Sequence, residues 1–321
     1  MSKEIHILIP VYNTAKFIEG TLNSVCVQNY NNMKVIIIND GSTDGTNKII
    51  EEKIKGDDRF TYKSYETNRK SLSSVREELV KISMELNPDA YFTWLDSDDT
   101  ITDKEYISKL MQKFEETGAD VCLFNFDVVF ENDTEKLRKN AQGLFKDKEN
   151  SEKILQKVSS HPMGIAFEDF PEVGCFTTLG CTKAYSPKIK SIWPNSDNTD
   201  MIYEDFLYIA ALFLANKITA FSPEYKPRQF VRREFSATGD RKHYHFTRDI
   251  LERLESFVKL IEGISEVKEN VAKQVVETKV KQYKKTLITM IEIEKDGFTK
   301  EVLNEYDNKA KEFFPFLFNN I

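Results

Sequence analysis

The fold of this chain is indicated most clearly by the stretch Val35-Ile36-Ile37-Ile38-Asn39-Asp40-Gly41-Ser42-Thr43-Asp44-Gly45, in which a β-branched run ends in an acidic segment. A second stretch repeats this arrangement as Tyr91-Phe92-Thr93-Trp94-Leu95-Asp96-Ser97-Asp98-Asp99. Each stretch precedes a helical pattern, so each predicts a strand followed by a loop and a helix. Ligands bind at the carboxyl ends of the strands in open α/β sheets. We therefore expect a binding site where these two acidic segments end their strands.

The second acidic segment is suited to a cation. Asp96 and Asp98 are two residues apart in an extended segment, so their side chains are predicted to project to the same side. Crowded carboxylates repel one another and are costly unless a cation is shared among them. A divalent metal that carries a phosphorylated ligand fits this requirement.

The first 130 residues alternate between strand and helix patterns, which predicts a parallel sheet with right-handed crossovers. In the helix pattern at 71–86, for example, Leu72, Val75, Leu79 and Ile82 lie on one face. The predicted strands are 5–9, 34–39, 60–65, 90–95 and 121–130, and the predicted helices are 14–28, 46–55, 71–86 and 103–116.

The rest of the chain carries weaker signals. Residues 131–160 are highly charged and are predicted to include a connection, and 180–185 is predicted as a short strand. A helix is expected at 205–214, and the pattern from 247 onward is helical. Apolar residues in the segment 267–293 alternate in spacings of four and three, which suits packing either on the body of the protein or on a second copy of the chain.

Composition limits the classes of function. The 321 residues are 40% hydrophobic and 30% charged, which is typical of a globular protein, and the net charge of −7 argues against nucleic-acid binding by the overall field. No apolar run approaches the ~20 residues that span a bilayer. Residues 1–12 are predicted to be a first strand rather than a signal peptide. The four cysteines lack metal-type spacing, and reduced cysteines are typical of a cytoplasmic protein.

The charge balance reverses towards the end of the chain. Residues 226–295 contain sixteen basic and eleven acidic side chains. These residues are either ordinary solvated helices or a surface that contacts anionic lipid headgroups or a pyrophosphate-linked acceptor. The second interpretation predicts peripheral contact with the inner face of the membrane.

The motifs together resemble those of the family 2 inverting glycosyltransferases, which have the GT-A fold. The resemblance rests on Pro10-Val11-Tyr12-Asn13, on residues 39–46 and on residues 95–99, and on their order and spacing. It extends through 180–185, Tyr203-Glu204-Asp205-Phe206 and Arg232-Arg233-Glu234-Phe235-Ser236, and it covers roughly residues 4–240. It implies an α/β fold in which a mostly parallel, Rossmann-like sheet is flanked by helices and followed by an α-helical C-terminal region.

The resemblance also implies that the chain has two parts with different functions. Residues 1–225 are expected to form the catalytic domain that binds a nucleotide-sugar. Residues 226–321 are expected to form a helical region for the acceptor, for a homo-oligomer or for a membrane. In the family, the residue that matches Asp40 accepts the uracil imide N–H, and Tyr12 would lie near the base. The matched motifs place four further residues among the expected nucleotide-sugar contacts, namely Pro10, Asn13, Ser42 and Ser97.

The implied catalytic chemistry centres on carboxylates. Asp98 is the expected direct ligand of Mn²⁺ or Mg²⁺, and Asp96 is expected to hold the ribose or a metal-bound water. Asp99 is expected to position the acceptor or to cap the following turn. Inversion by single displacement needs one base, which the match assigns to Asp205 beside Glu204.

Basic residues complete the expected site. Arg76 matches a family arginine, although the preceding loop lacks the usual glycine and Glu77 replaces the usual asparagine. Arg232 and Arg233 either clamp the pyrophosphate or are ordinary surface charges. His243 and His245 are either further metal or phosphate contacts or surface residues without such a role.

The predicted function is a metal-dependent transfer of a sugar from a UDP-sugar to an acceptor hydroxyl. The expected acceptor is a glycan or a lipid-linked glycan, as in a precursor of a cell-surface oligosaccharide or polysaccharide. Two alternatives remain at this stage. One is a nucleotide-sugar-binding protein that has lost catalysis, and the other is a nucleotidyltransferase with a similar sheet.

Overall fold

The structure is a computed structural model that describes residues 2–69, 72–132, 142–170, 180–191, 208, 211–212 and 214–233, together with 304, 308 and 311–312. Within these ranges the side chains of residues 73, 142–147 and 168 are not described. The predictions made for Glu204, Asp205, His243 and His245 lie outside the described residues.

The central element is an eight-stranded sheet. Its strands are β1 (Ile5–Val11), β2 (Met33–Asn39), β3 (Phe60–Ser64), β4 (Tyr91–Trp94), β6 (Val121–Leu123), β8 (Ile165–Ala166), β9 (Lys183–Tyr185) and β10 (Lys217–Ala220). They lie in the order β3-β2-β1-β4-β9-β6-β10-β8. Strand β1 pairs in parallel with β2 and β4, β2 pairs in parallel with β3, and β6 pairs in parallel with β10. Strand β9 is antiparallel to its neighbours β4 and β6, and β8 is antiparallel to β10.

The chain also forms a second sheet, which has three strands. It contains β5 (Thr100–Ile101), β7 (Asp127–Phe130) and β11 (Arg228–Arg232) in the order β5-β11-β7. Strand β11 lies beyond residue 225 and pairs with both other strands, so these residues belong with the α/β body. The expected division of the chain near residue 225 otherwise stays a prediction.

Helices cover both faces of the central sheet. They are α1 (Ile18–Cys26), α2 (Thr46–Ile54), α3 (Leu72–Leu86), α4 (Tyr106–Thr117), α5 (Gln142–Ser159) and α6 (Pro187–Ser191). Every residue of β1 is buried, and side chains alternate between its faces. One face packs with α1 and α4 in a core that includes Ile5, Ile7, Ile9, Leu22, Val35, Leu110 and Phe114. The other face meets α3.

The structure confirms the predicted α/β class and the mostly parallel sheet, and strands β1 to β4 and helices α1 to α4 lie where the sequence pattern predicts them. The single strand predicted at 121–130 was wrong, because this segment divides into β6 and β7 in different sheets. Asn125 lies at the break, where its side chain donates to the Pro223 carbonyl at 2.6 Å and accepts from the Phe126 N–H at 2.9 Å. These bonds replace ladder pairing there and allow the chain to change sheet.

Two further segments differ from expectation. The charged region predicted as a connection contains α5, whose apolar Ile154, Leu155 and Val158 are buried on one side. The high charge of this helix conceals its single apolar stripe. The strand expected at 180–185 begins as a short 3₁₀ turn, Gly180–Thr182, and only Lys183–Tyr185 forms β9. Among the described helices, none is both long enough and apolar enough to cross a membrane.

Candidate active site

The candidate site lies at the carboxyl ends of β2 and β4, which flank β1 in the sheet. Asp40 directly follows β2, and its backbone N–H donates to the Val11 carbonyl at 2.8 Å. Asp96 follows β4 by two residues, after Leu95 donates to the Leu8 carbonyl at 3.0 Å. The parallel pairing therefore brings both acidic segments to one edge of the sheet, as the sequence predicted.

The loops after β1 and β2 hold each other in place. The Asn13 N–H donates to Ser42 Oγ at 2.9 Å, and the Thr43 N–H donates to Asn13 Oδ1 at 2.8 Å. Asn13 adopts a positive φ of 49°, a conformation that asparagine tolerates better than most residues. Asp44 accepts from the Ala15 N–H at 3.0 Å and from the Thr46 N–H at 3.1 Å, where α2 begins. These hydrogen bonds of Asn13, Ser42 and Asp44 therefore stabilise the two loops.

Asp40 is buried and paired with an arginine that the sequence analysis did not select. Arg69 Nε lies 2.8 Å from Asp40 Oδ1, and the Arg69 N–H donates to Oδ2 at 3.2 Å. The guanidinium also pairs with Glu78 at 2.6 Å and lies 4.1 Å from the centre of the Tyr65 ring. Arg69 lies in the loop that departs from the family pattern, and this departure was the available signal.

Gly41 makes this pairing sterically feasible. Its φ is 72°, and a Cβ atom there would lie 2.4 Å from both the Asn68 nitrogen and the Thr67 carbonyl carbon. Only glycine therefore lets the 67–69 loop approach Asp40 so closely. At the carboxyl end of β1, Tyr12 is 47% exposed, whereas Pro10 is buried within the strand opposite Ile38. Whether either contacts a nucleotide stays a prediction.

The three aspartates after β4 have three different partners. Asp96 Oδ1 lies 2.8 Å from Arg76 Nη2, and Asp98 Oδ2 lies 2.7 Å from Arg233 Nε. Asp99 Oδ1 accepts from the Val231 N–H of β11 at 3.0 Å. Asp99 thus anchors the second sheet to the acidic segment, which is a role that the sequence analysis did not predict.

These carboxylates are not fully neutralised by their partners. Burial raises the pKa of Asp98 to about 6, and the negative charge of Asp96 adds to this rise against the attraction of Arg233. Burial, together with the charges of Asp96 and Asp98, raises the pKa of Asp99 well above its usual range. A further cation would therefore lower the free energy of the ionised site.

The donor atoms here suit a divalent cation. Oxygens of Asp96 and Asp99 and the Sγ of Cys181 lie within 4.8 Å of one another. Carboxylate oxygens are the ligands that Mn²⁺ and Mg²⁺ prefer, so the two aspartates of this group fit either metal. Cys181 is a softer donor, and burial followed by the charges of Asp99 and Asp96 raises the pKa of its thiol. Asp98, the expected direct ligand, lies outside this group and is engaged by Arg233.

The two arginines of the site differ in exposure. The side chain of Arg76 is 6% exposed, and its guanidinium lies 4.9 Å from the centre of the Trp94 ring and 5.7 Å from that of Tyr208. Arg233 is 21% exposed and directly follows β11. Arg232, predicted alongside Arg233, is buried as the last residue of that strand.

A buried arginine behind the site was also missed. Arg228 donates through Nη1 to the Trp94 carbonyl at 2.6 Å and through Nη2 to Thr93 Oγ1 at 3.1 Å. It thereby holds the end of β4 just before the acidic segment. The Ser97 carbonyl accepts a hydrogen bond from Thr21 Oγ1 at 3.0 Å. No local pattern in the sequence marks Arg228, because it lies 134 residues from Trp94.

Comparison with known proteins identifies the class to which this site belongs. Residues 6–170, more than half of the 321, match the model of glycosyl transferase family 2. The chain is 33% identical over 123 residues to glycosyltransferase GlyA of Streptococcus pneumoniae serotype 4, a match that covers 38% of this chain and 17% of GlyA. It is 36% identical over 99 residues to the poly-β-1,6-N-acetyl-D-glucosamine synthase of Staphylococcus epidermidis, covering 31% of this chain and 23% of that protein.

A solved structure shares the fold. The crystal structure of S. aureus TarS 1-349 in complex with UDP-GlcNAc superposes with a TM-score of 0.62 and 20% identity, covering 85% of this chain and 70% of TarS 1-349. The chain therefore belongs to glycosyl transferase family 2 and has the GT-A fold. This confirms the predicted family, fold class and enzyme class. In GlyA and in the synthase, less than a quarter of the protein's own length is matched.

Proposed function

We propose that this protein is a metal-dependent inverting glycosyltransferase that moves a sugar from a UDP-sugar to a hydroxyl of a cell-surface oligosaccharide or polysaccharide precursor. The observation that carries the proposal is the pairing of carboxylates with arginines along one sheet edge. Asp40 with Arg69, Asp96 with Arg76, and Asp98 with Arg233 offer acceptors and donors to a base and a diphosphate. The TarS structure in complex with UDP-GlcNAc supports a UDP-sugar donor, and the name of the synthase supports a polysaccharide product.

In this proposal the loops around Asp40 bind the base of the nucleotide. Asp40 accepts the uracil imide N–H, and Tyr12 contacts the uracil ring with its half-exposed side chain. Arg69 must then share Asp40 with the base or move towards Glu78, which already holds its other nitrogen. This arrangement favours uracil over cytosine, because cytosine lacks the imide N–H.

The acidic segment and its arginines serve the diphosphate. Asp98 and Asp96 would hold Mn²⁺ or Mg²⁺, and the metal when bound supplies positive charge to the leaving UDP. Arg76 and Arg233 donate to phosphate oxygens, for which the planar guanidinium is well suited.

The transfer itself is a single displacement. Asp205 takes the proton of the acceptor hydroxyl while its oxygen forms a bond to the anomeric carbon and the bond from that carbon to the UDP oxygen breaks. Attack opposite the leaving group inverts the anomeric centre. The assignment of Asp205 rests on its match to the family motif. In the proposal the transfer takes place in the cytoplasm, and the acceptor is a glycan or a lipid-linked glycan.

The donor class is tested by calorimetric titration of the protein with UDP, CDP and GDP, with and without Mn²⁺. Of the three nucleotides we expect only UDP to bind tightly, and only with the metal. Asp98→Ala should lose this metal-dependent affinity for UDP. The matched control is Asp57→Ala, because Asp57 also pairs with an arginine at 2.7 Å but at the amino end of β3. Equal binding of all three nucleotides, or none, would refute a uridine-specific site.

The catalytic base is tested separately. Asp205→Asn should bind UDP-sugar as the wild type does and lose turnover, because the amide cannot accept the hydroxyl proton. Normal turnover by this variant would show that the base assignment is wrong. Absence of turnover in the wild type, despite UDP-sugar binding and a broad panel of glycan acceptors, would favour a binding protein without catalysis.

A further inference from the structure

Tyr208 is a buried aromatic residue next to the end of β4. It is 1% exposed, and the centre of its ring lies 6.3 Å from that of Trp94, the last residue of β4. The Arg76 guanidinium lies 5.7 Å from the centre of the Tyr208 ring. The same guanidinium donates through Nη2 to Asp96 Oδ1 at 2.8 Å. Tyr208 therefore packs against both the end of β4 and the arginine that binds Asp96.

Gly180 provides the space that the Tyr208 ring occupies. A Cβ atom at Gly180 would overlap Tyr208 Cζ and would lie 2.7 Å from both Cε atoms of the ring. The φ of Gly180 is outside the left-handed range, so the glycine is needed for this close approach rather than for its backbone conformation. Gly180 begins the 3₁₀ turn that precedes β9, and β9 pairs with β4. The ring is thus held by two neighbouring parts of the sheet.

The helix that carries Tyr208 connects this ring to the proposed base. Residues 208, 211, 212 and 214 are helical, and Ala211 and Leu212, one turn after Tyr208, are fully buried. The buried side of the helix therefore includes Tyr208. Asp205 precedes Tyr208 by three residues, and residues three apart lie on the same side of a helix such as the one predicted at 205–214. Contacts that fix Tyr208 should therefore also fix the turn in which Asp205 is predicted.

From this arrangement we propose that Tyr208 is a positioning residue for the catalytic base. Its contacts with Gly180, Trp94 and Arg76 set the helix of Asp205 at a fixed distance from the acidic segment. The proposal rests on the proposed function, because it takes Asp205 as the base. Tyr208 thereby joins the part of the site that binds the donor to the part that activates the acceptor.

The role of Tyr208 has a kinetic consequence. Without the ring, Arg76 keeps its hydrogen bond to Asp96 and its position 4.9 Å from the centre of the Trp94 ring, so the donor side of the site is retained. The rate of transfer depends more steeply on geometry, because a displacement of a reacting group by about 1 Å can cost on the order of 10²-fold. Loss of the ring should therefore lower kcat much more than it lowers the affinity for UDP.

The first test measures glycosyl transfer and the calorimetric affinity for UDP with Mn²⁺. Tyr208→Leu should lower kcat by about 10–10²-fold and change the Kd of UDP by less than about threefold. Tyr208→Phe retains the ring and should recover most of kcat. Gly180→Ala should also lower kcat, because its Cβ displaces the ring, and it replaces Tyr208→Leu if that variant does not fold. In the Tyr208→Leu background the same alanine should have little further effect, since the two changes remove one contact.

The second test does not need turnover. Hydrogen–deuterium exchange of the peptide that contains Glu204 and Asp205 should be faster in Tyr208→Leu than in the wild type, whereas exchange at residues 91–99 should be unchanged. The matched control is Tyr91→Leu, which removes a buried tyrosine ring at the opposite end of β4, 4.7 Å from the centre of the Phe114 ring. This control should change neither kcat nor exchange at 204–205.

The positioning role would be overturned by folded Tyr208→Leu and Gly180→Ala variants that keep the kcat and the exchange of the wild type. A fall in kcat matched by an equal loss of UDP affinity, or reproduced by Tyr91→Leu, would also overturn it. Failure of the proposed function has a different signature, namely a wild type that neither binds UDP nor turns over. In that case the exchange comparison would still judge whether Tyr208 fixes the turn of Asp205.

Discussion

The two ends of β1 carry polar clusters of opposite character. At the amino end, His6 Nδ1 lies 2.7 Å from Ser83 Oγ and His6 Nε2 lies 2.8 Å from Glu4 Oε1. Asn87 donates to the same Glu4 oxygen at 3.0 Å, and Lys190 Nζ donates to the Asn87 carbonyl at 2.6 Å. The donors and acceptors of this cluster bond to one another.

At the carboxyl end, acids outnumber the bases that neutralise them. Asp96, Asp98 and Asp99 are close in sequence, and burial with mutual repulsion keeps the pKa of Asp98 and of Asp99 raised despite Arg76 and Arg233. The groups of the amino-end cluster bond to one another, whereas the carboxyl-end cluster keeps carboxylates whose pKa values are raised. One sheet thus places a cluster of mutually bonded polar groups at one end and a cluster of crowded carboxylates at the other.

The largest effect is expected from a change at the carboxyl end of the sheet. Asp98→Asn should lower turnover about 10²–10³-fold, because charge on the leaving group is no longer balanced. The same change should raise the free energy of unfolding at neutral pH by on the order of 1 kcal/mol, because it removes a carboxylate whose folded pKa is raised. Glycosyl transfer assays and denaturant unfolding measure both effects. An active or destabilised Asp98→Asn would contradict the crowded character of this end.

Next in size is the loss of the buried arginine behind the acidic segment. Arg228→Met should lower the free energy of unfolding by about 3 kcal/mol, because the Trp94 carbonyl and Thr93 hydroxyl lose their donors inside the core. Urea unfolding followed by circular dichroism measures the change. Arg228→Lys should recover part of the loss, since the lysine can still donate to Trp94. Equal stability of Arg228→Met and the wild type would show that Arg228 does not hold the end of β4.

Ligand binding at the carboxyl end should depend on pH. In the proposed function Asp98 would bind metal in its ionised form, and its pKa is raised to about 6. Metal-dependent UDP binding should therefore be full above this pH and weaken by up to about tenfold per unit as pH falls below it. The destabilising effect of Asp98 on folding has the same window and disappears as the carboxylate becomes protonated. Calorimetry from pH 8 downward, in steps of about half a unit, tests the midpoint. A midpoint near the usual aspartate value would contradict the raised pKa.

The smallest expected effect lies at the amino end. Ser83→Ala removes the hydroxyl that contacts His6 and lies 3.4 Å from Lys190 Nζ, and should lower the free energy of unfolding by about 1 kcal/mol. UDP affinity should stay unchanged, because the cluster is at the opposite end of the sheet. Denaturant unfolding and calorimetry on the same preparation separate the two effects. A loss of UDP affinity without a loss of stability would reverse the roles assigned to the two ends.

Local patterns predicted the parts of the fold in which sequence neighbours decide the structure. The β-branched run before Asn39 and the helical spacing of Val75 and Leu79 place β2 and α3 correctly, because each element buries its own apolar face. The acidic segments that end β2 and β4 could also be placed at one edge, since parallel strands share a direction. The insertion of β9 between β4 and β6 could not be predicted, because its pairing depends on distant strands.

The sequence by itself determined the family, the α/β class and the carboxylates of the site, since each is encoded in short contiguous motifs. Only the tertiary structure decided which hydrogen-bond donor pairs with which carboxylate. Arg69 reaches Asp40 across 29 residues, and the Val231 N–H reaches Asp99 across 132. Such pairings follow from how loops and strands meet in space, and the energy of a buried charge depends on those meetings rather than on its neighbours in the chain.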